Sequence, residues 1–263
     1  MRILFLLFGL LSCNLFAQNA ASINLKNEKM KIEIWSDIAC PFCFIGKRHL
    51  EKALENFEGK ENIQIVWKSF QLDPDLNPSP GQSLYESLAE RKGWSVEQTK
   101  QISQNVIKMA QAANIEMNFE KVVPVNTLKA HQLLQLAKSL DKGNEAKELL
   151  LSAYFTEGKN VSDIEFLKSI ATKLYIDTES VQQIEKNAFE DKVREDIYES
   201  RQIGMQGVPF FLFNEKYAVS GAQPIKIFEQ TLEKAYAAWE TSQPTISIST
   251  IDGKACIPDE ECK

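Results

Sequence analysis

Histidine is scarce in this chain of 263 residues, which has only His49 and His131. Two imidazoles leave little material for a His-rich metal site or a Ser-His-Asp triad. Glycine and proline are few, 11 and 9 residues, and no collagen-like period or low-complexity tract occurs, so the composition is that of a globular protein. Positive charge is not in excess. Thirty Lys and Arg stand against 36 Asp and Glu, a formal net charge of −6, which argues against nucleic acid as a partner. After the first 17 residues no apolar run approaches the ~20 residues of a membrane-crossing helix. No internal repeat is visible. What the chain does have is a 44% share of apolar residues, enough for a sizeable core, and five cysteines.

Residues Met1 to Ala17 read MRILFLLFGLLSCNLFA: one Arg, a short run of Leu, Ile and Phe, then a small residue before Gln18. This pattern predicts a secretory signal peptide over 1–17, cleaved after Ala17, and a periplasmic location. A competing reading takes Leu10-Leu11-Ser12-Cys13 as a lipoprotein-type signal, with Cys13 lipidated. Cleavage after Ala17 leaves Cys40, Cys43, Cys256 and Cys262, two close pairs. In an exported chain that arithmetic favours disulfide chemistry.

Gln18 to Lys29 are polar and read as a leader. Lys31 to Trp35 and Ile63 to Trp67 alternate polar and apolar residues and predict two strands. Between them Gly46, Leu50, Ala53, Leu54 and Phe57 recur at helical spacing, with Lys47, Arg48, Glu51, Lys52 and Glu55 facing away. The unit is strand-helix-strand with parallel strands. From Ser83 to about Gln202 the pattern becomes helical. Ser95-x-x-Gln98 and Ser162-x-x-Glu165 read as capping boxes, Thr127 or Asn126 as a cap for 128–140, and Gly143 and Gly158 as stops. Leu133, Leu134, Leu136, Ala137 and Leu140 form a stripe expected to face a bundle core. Phe210 to Phe213 and Tyr217 to Val219 predict a hairpin, followed by a helix from Pro224 to about Trp239 with Ile227, Leu232, Ala235 and Tyr236 inward. The fold expected is α/β: a discontinuous sheet domain over 30–80 and 204–241, interrupted by an all-helical insertion over 81–203 and followed by a Cys-bearing tail over 242–263.

Cys40-Pro41-Phe42-Cys43 lies where the first strand ends and the amphipathic helix begins. Unpaired N–H groups and the positive dipole end of a helix stabilise a thiolate there, so Cys40 is the expected attacking sulfur. Pro41 occupies the first helical turn, where its missing N–H costs nothing. Cys43, one turn on, is placed to resolve a mixed disulfide formed by Cys40. Pro41 and Phe42 are neutral and donate no side-chain hydrogen bond to sulfur, so thiolate stabilisation must come from the helix and backbone. Asp37 reads as a strand-end carboxylate, with proton acceptance from Cys43 as its alternative role. His131 reads as a packed core residue and His49 as solvated.

Far downstream, Gly207-Val208-Pro209 opens the strand Phe210-Phe211-Leu212. Strand, Cys-x-x-Cys, helix, strand, helical insertion and then Val-Pro before a hairpin resembles the thioredoxin superfamily in its DsbA-like branch. Within it, Trp35 to Cys43, Asn126 to His131, Tyr154 to Gly158 and Gly207 to Gln223 are similar to the FrnE-type thiol-disulfide oxidoreductases. The resemblance covers Lys31 to Trp239. It implies a thioredoxin-like fold and exchange with protein thiols and disulfides, with glutathione as a further small partner. It also implies that Pro209 is cis and faces Cys40, while the backbone of Val208 pairs with an extended substrate. No organic cofactor is required. Phe42 departs from the Trp or His usual in relatives.

Cys256 and Cys262 admit three readings: an auxiliary redox pair exchanging with Cys40 and Cys43, a local structural staple, or a four-thiolate zinc site using both pairs. Two other functional classes compete with the oxidoreductase. One is a glutathione-dependent isomerase, similar to 2-hydroxychromene-2-carboxylate isomerases and kappa-type glutathione transferases, in which Ser typically stands where Cys40 does. The other is a redox-inactive binding module using the helical block as a groove.

Overall fold

The structure is a computed structural model that describes residues 21–24, 28–243 and 245–248, with side-chain surroundings given for 28–243. The chain divides into two units, one formed by 28–241 and the other by the two terminal segments. In the terminal unit, β1 (Ala21–Asn24) pairs antiparallel with β6 (Thr245–Ile248), Ala21 opposite Ile248 and Asn24 opposite Thr245. Polarity alone marked these segments as leader and tail. The alternation in Ala21-Ser22-Ile23-Asn24 and Thr245-Ile246-Ser247-Ile248 is the strand signal that such a reading passes over.

The larger unit is built on a four-stranded sheet in the order β3 (Ile63–Ser69), β2 (Met30–Ser36), β4 (Phe210–Phe213), β5 (Tyr217–Ser220). β2 and β3 are parallel, and α1 (Pro41–Glu55) makes the crossover. β4 is antiparallel to both β2 and β5. Met30, Ile32 and Ile34 of β2 are buried because the strand is central, and they pack with Phe211 and Phe213 of β4 and with Phe228 and Leu232. The last two lie on α9 (Ile225–Ser242), where Ala235 is buried too, whereas Ile227 is 39% exposed and so does not face inward as its spacing predicts.

Between β3 and β4 run α2 (Leu84–Lys92), α3 (Val96–Ala112), α4 (Leu128–Lys138), α5 (Gly143–Phe155), α6 (Ile164–Lys173), α7 (Thr178–Gln182) and α8 (Glu190–Gln202). The structure is thus α/β, a thioredoxin-like fold carrying a helical insertion. Capping boxes at Ser83 and Ser95 open α2 and α3. At α6 the cap is Asp163, one residue past the predicted Ser162, because a carboxylate accepts from both Glu165 and Phe166 N–H. Asn126 supplies the oxygen for the Leu128 N–H, while Thr127 stands at the cap position. Gly143 begins α5 instead of stopping α4. The turn is made by Asp141 at φ 57°, and α4 ends at Lys138, leaving Leu140 47% exposed outside the buried stripe.

One polar cluster ties the insertion to the sheet. Asp196 of α8 is buried and accepts from Ser69 N–H of β3 at 2.7 Å and from the Gln135 amide of α4. Its backbone carbonyl receives the Trp35 indole N–H at 2.8 Å. A buried carboxyl group is costly unless hydrogen bonds satisfy its oxygens, so this cluster fixes α4 and α8 against the ends of β2 and β3.

Candidate active site

β2 carries the chain to Asp37, the turn 38–39 follows, and Cys40 stands at the N-cap of α1 in extended conformation, φ −100° and ψ 111°. No side chain caps this helix end, Pro41 takes the first helical position, and Cys43 N–H donates to the Cys40 carbonyl at 3.1 Å. The positive end of α1 is therefore left for the sulfur. Both thiols are reduced and buried. The Cys40 Sγ lies 3.7 Å from the Val208 carbonyl oxygen, and the Val208–Pro209 peptide bond is cis.

Gly46 explains how the two segments come so close. A Cβ built there would lie 3.0 Å from Phe211 Cζ and 3.1 Å from Pro209 Cγ, so only the absence of a side chain lets α1 rest on the start of β4. Four of the sequence-predicted residues, Cys40, Pro41, Phe42 and Val208, line one cavity of about 380 Å³, and Pro209 is buried beside it. Leu72, Leu76, Leu84, Trp94 and Ile102 make much of its apolar wall. Phe42 is 38% exposed at the mouth. Cys43 is not part of the lining.

Behind the sulfurs the surroundings are polar. Asp37 is buried and accepts from Leu72 N–H at 2.8 Å and from Ala39 N–H at 3.3 Å, and its other near neighbour is His131 Nε2 at 3.2 Å. Burial raises the Asp37 pKa, but the hydrogen bond to His131, with the Leu72 N–H and the Thr127 hydroxyl, outweighs it and leaves the carboxyl below its ordinary value. His131 is lowered by its own burial against the pull of Asp37, so a neutral imidazole faces an ionised carboxylate. His131 is thus the packed, hydrogen-bonded residue its apolar helix suggested. Asp37 has spent its oxygens on neighbours. His49 departs from expectation: it is half-buried, with Nδ1 2.7 Å from the Gln223 carbonyl.

Sequence reasoning missed two lysines. Lys47, placed on the outer face of α1 by its spacing, is 3% exposed because Glu51 and Glu148 cover it at 2.5 and 2.7 Å. Lys147 of α5 is 0% exposed, with Nζ 3.4 Å from the Ser36 carbonyl and 5.4 Å from the Trp67 ring centre. Burial lowers its pKa from an ordinary 10.5 to about 8, against the upward pull of Cys43, Asp37 and Cys40. The periodicity of α5 held a clue: Gly143, Lys147, Leu150 and Tyr154 share one helical stripe, and the other three are buried.

The two thiols hold their protons unequally. Cys40 holds its proton the more tightly, its pKa raised first by the hydrogen bond to Cys43 and then by burial. Burial also pushes Cys43 up, but the bond from Cys40, the Lys147 ammonium and the Ser36 hydroxyl bring it below its ordinary value. Passing that proton between the sulfurs exchanges their roles without changing the charge of the pair, so the anion belongs to the pair. Such a dithiol, one sulfur on a cavity and one behind it, is built for thiol-disulfide exchange.

Comparison with known proteins agrees with this chemistry. A model of the DSBA-like thioredoxin domain matches residues 31–233. The chain belongs to that family. The family is one of thiol-disulfide oxidoreductases, and the helical insertion is part of its matched region. A crystal structure of a probable DsbA oxidoreductase, SCO1869 from Streptomyces coelicolor, superimposes with a TM-score of 0.74 at 34% identity, covering 89% of this chain and 98% of that one. An uncharacterized protein of Bacillus subtilis, YwbO, is 29% identical over 206 residues, 76% of this chain and 94% of its own. A 2-hydroxychromene-2-carboxylate isomerase shares the fold at a TM-score of 0.60 and 15% identity, covering 82% of this chain and 100% of its own. Residues 1–17 with Cys13, read from the sequence as a signal peptide, and the pair Cys256 and Cys262 lie outside the described residues. Among the described residues no helix is long and apolar enough to cross a membrane.

Proposed function

We propose that this protein is an exported thiol-disulfide oxidoreductase of the FrnE type that exchanges disulfides with protein clients through Cys40-Pro41-Phe42-Cys43. The observation that carries this reading is the placement of Cys40: its sulfur lines an apolar cavity, 3.7 Å from the Val208 carbonyl, with Cys43 behind it. Cys40 forms the mixed disulfide with the client, and Cys43 attacks Cys40 to release it. Val208 and Pro209 form a strip beside which an extended client segment lies, and Pro41 and Phe42 bound it on the other side. Leu72, Trp94 and Ile102, all partly exposed on the cavity wall, suit a client whose cysteine has an apolar neighbour in sequence. Export rests on the sequence of 1–17. Cys256 and Cys262 serve, on sequence grounds, as an auxiliary redox pair, and changing both to Ser slows turnover in a dithiol-oxidation assay.

Cys40→Ser tests the main reading. Thiol-disulfide exchange with a denatured reduced protein falls at least a thousandfold, to the level without enzyme, because the serine hydroxyl is not ionised at neutral pH. Retained exchange in that variant rules the reading out. Isomerisation of a glutathione conjugate by Cys40→Ser would favour the isomerase class instead.

A further inference from the structure

A buried ammonium without an ion-pair partner needs an explanation, because an uncompensated charge in the interior costs several kcal/mol and is otherwise neutralised. Lys147 is such a group. It reaches inward from the helical insertion, and among the described residues its close polar contact is a single backbone carbonyl, that of Ser36 at 3.4 Å. The groups facing it come from four elements. At the end of β2 is Asp37, held by two N–H groups and already set against His131 of α4; at the start of α1 are Cys40 and Cys43; and further along α1 is the cation Lys47, itself covered by Glu51 and Glu148. Of the anions, Asp37 has its own donors. The thiolate shared by Cys40 and Cys43 is left as the charge that Lys147 answers.

We infer that Lys147 is the counter-ion of the reduced Cys40–Cys43 pair, a positioning residue that takes up a proton when the disulfide is reduced and gives it up when the disulfide forms. The inference rests on the exchange reading above and adds the proton balance. When a client dithiol is oxidised, the client gains one S–S bond and loses two electrons and two protons, and the Cys40–Cys43 bond breaks and accepts the two electrons. One proton stays on the pair as the shared S–H, and the other goes to the Lys147 amine. The reverse step returns both. The ion pair thus favours the reduced site and makes the disulfide more oxidising, a role that the neutral Phe42 does not supply.

The test is made on the full chain in two ways. Lys147→Met keeps an unbranched side chain one atom shorter and removes the charge. Its thiolate absorbance near 240 nm, followed against pH, shifts upward relative to wild type, and its equilibrium with glutathione moves about tenfold toward the disulfide, about 30 mV for a two-electron couple. Lys147→Arg restores both in part. In wild type, selective isotope labelling of lysine follows the Lys147 Cε signal, which titrates at lower pH in the oxidised protein than in the reduced one. An unchanged thiolate titration and equilibrium in Lys147→Met, or the same Lys147 titration in both redox states, overturns the inference. A protein that exchanges disulfides normally yet gives either result loses the counter-ion and keeps its function. One that forms no Cys40–Cys43 disulfide at all loses both.

Discussion

The two sides of the sulfur pair are built from opposite materials. On the Cys40 side lie an apolar cavity, the exposed rings of Phe42 and Trp94, and the Val208 carbonyl that faces the Cys40 sulfur. On the Cys43 side lie Asp37, His131, Lys147 and Ser36, all buried. The open side can change shape and polarity with little effect on the charge of the sulfurs, whereas on the closed side only Asp37 reaches the cavity wall, and His131, Lys147 and Ser36 act on that charge from behind. Recognition and redox poise are thereby assigned to different residues, and the helical insertion contributes to both: α2 and α3 to the cavity, α4 and α5 to the charged floor.

The largest expected effects come from the closed side and have opposite signs. Asp37→Ala leaves Leu72 N–H, Ala39 N–H and His131 without their acceptor and lowers stability by about 3 kcal/mol in chemical denaturation. Lys147→Met raises it by about 3 kcal/mol, since a pKa drawn from 10.5 to about 8 is worth 1.36 kcal/mol per tenfold. The gain depends on pH. Above 10.5 neither state of wild type carries the charge. Between 10.5 and 8 the unfolded chain binds the proton and the native state does not, so wild-type stability falls with falling pH, and below 8 it levels off. The variant, reduced and compared across that window, lacks this fall. A variant no more stable than wild type at neutral pH would mean that pairing with the sulfurs offsets the burial of Lys147 in full.

His131 gives a smaller effect of known sign. Its native pKa lies below the ordinary 6.5, so the neutral form is favoured, and the stability this provides is present above 6.5 and lost as pH falls through the native value. Unfolding free energy of wild type therefore declines below pH 6.5, and His131→Asn removes that decline. Gly46→Ala gains about 1 kcal/mol of helix propensity but presses on Phe211 and Pro209, and the net loss is about 1 kcal/mol. It sharpens the comparison, because it moves both sides apart at once. The smallest effects belong to the open side: Leu72→Ser or Ile102→Ser raises KM for a protein client about threefold, close to 0.7 kcal/mol, and leaves the thiolate titration in place. A shifted titration in those variants would erase the division between the two sides.

The sulfur-bearing edge of the open side and His131 of the closed side were legible in the sequence, whereas the cavity wall of Leu72, Trp94 and Ile102 and the buried lysines were not. Cys40-Pro41-Phe42-Cys43 is read locally, because a strand, a turn and an amphipathic helix fix where its sulfurs stand. Val208-Pro209 needed the family resemblance, since nothing local joins it to Cys40 across 168 residues. Lys147 was invisible because a lysine on a helix is solvated by default, and its burial is decided by Trp67 and Ser36, far away in the chain. Lys47 escaped for the same reason: its cover, Glu148, comes from the insertion. The caps failed by one residue at Ser162 and by function at Gly143, where an aspartate in each case did what a serine or a glycine was expected to do.

The central claim is that Cys40 is the sulfur that meets the client. Cys43→Ser, which cannot resolve the intermediate, is mixed with a disulfide-bearing protein, and the trapped covalent adduct is mapped by mass spectrometry after proteolysis. The account predicts an adduct through Cys40 in high yield and none from the reciprocal Cys40→Ser variant. Equal trapping by both variants, or no adduct from Cys43→Ser, would contradict it.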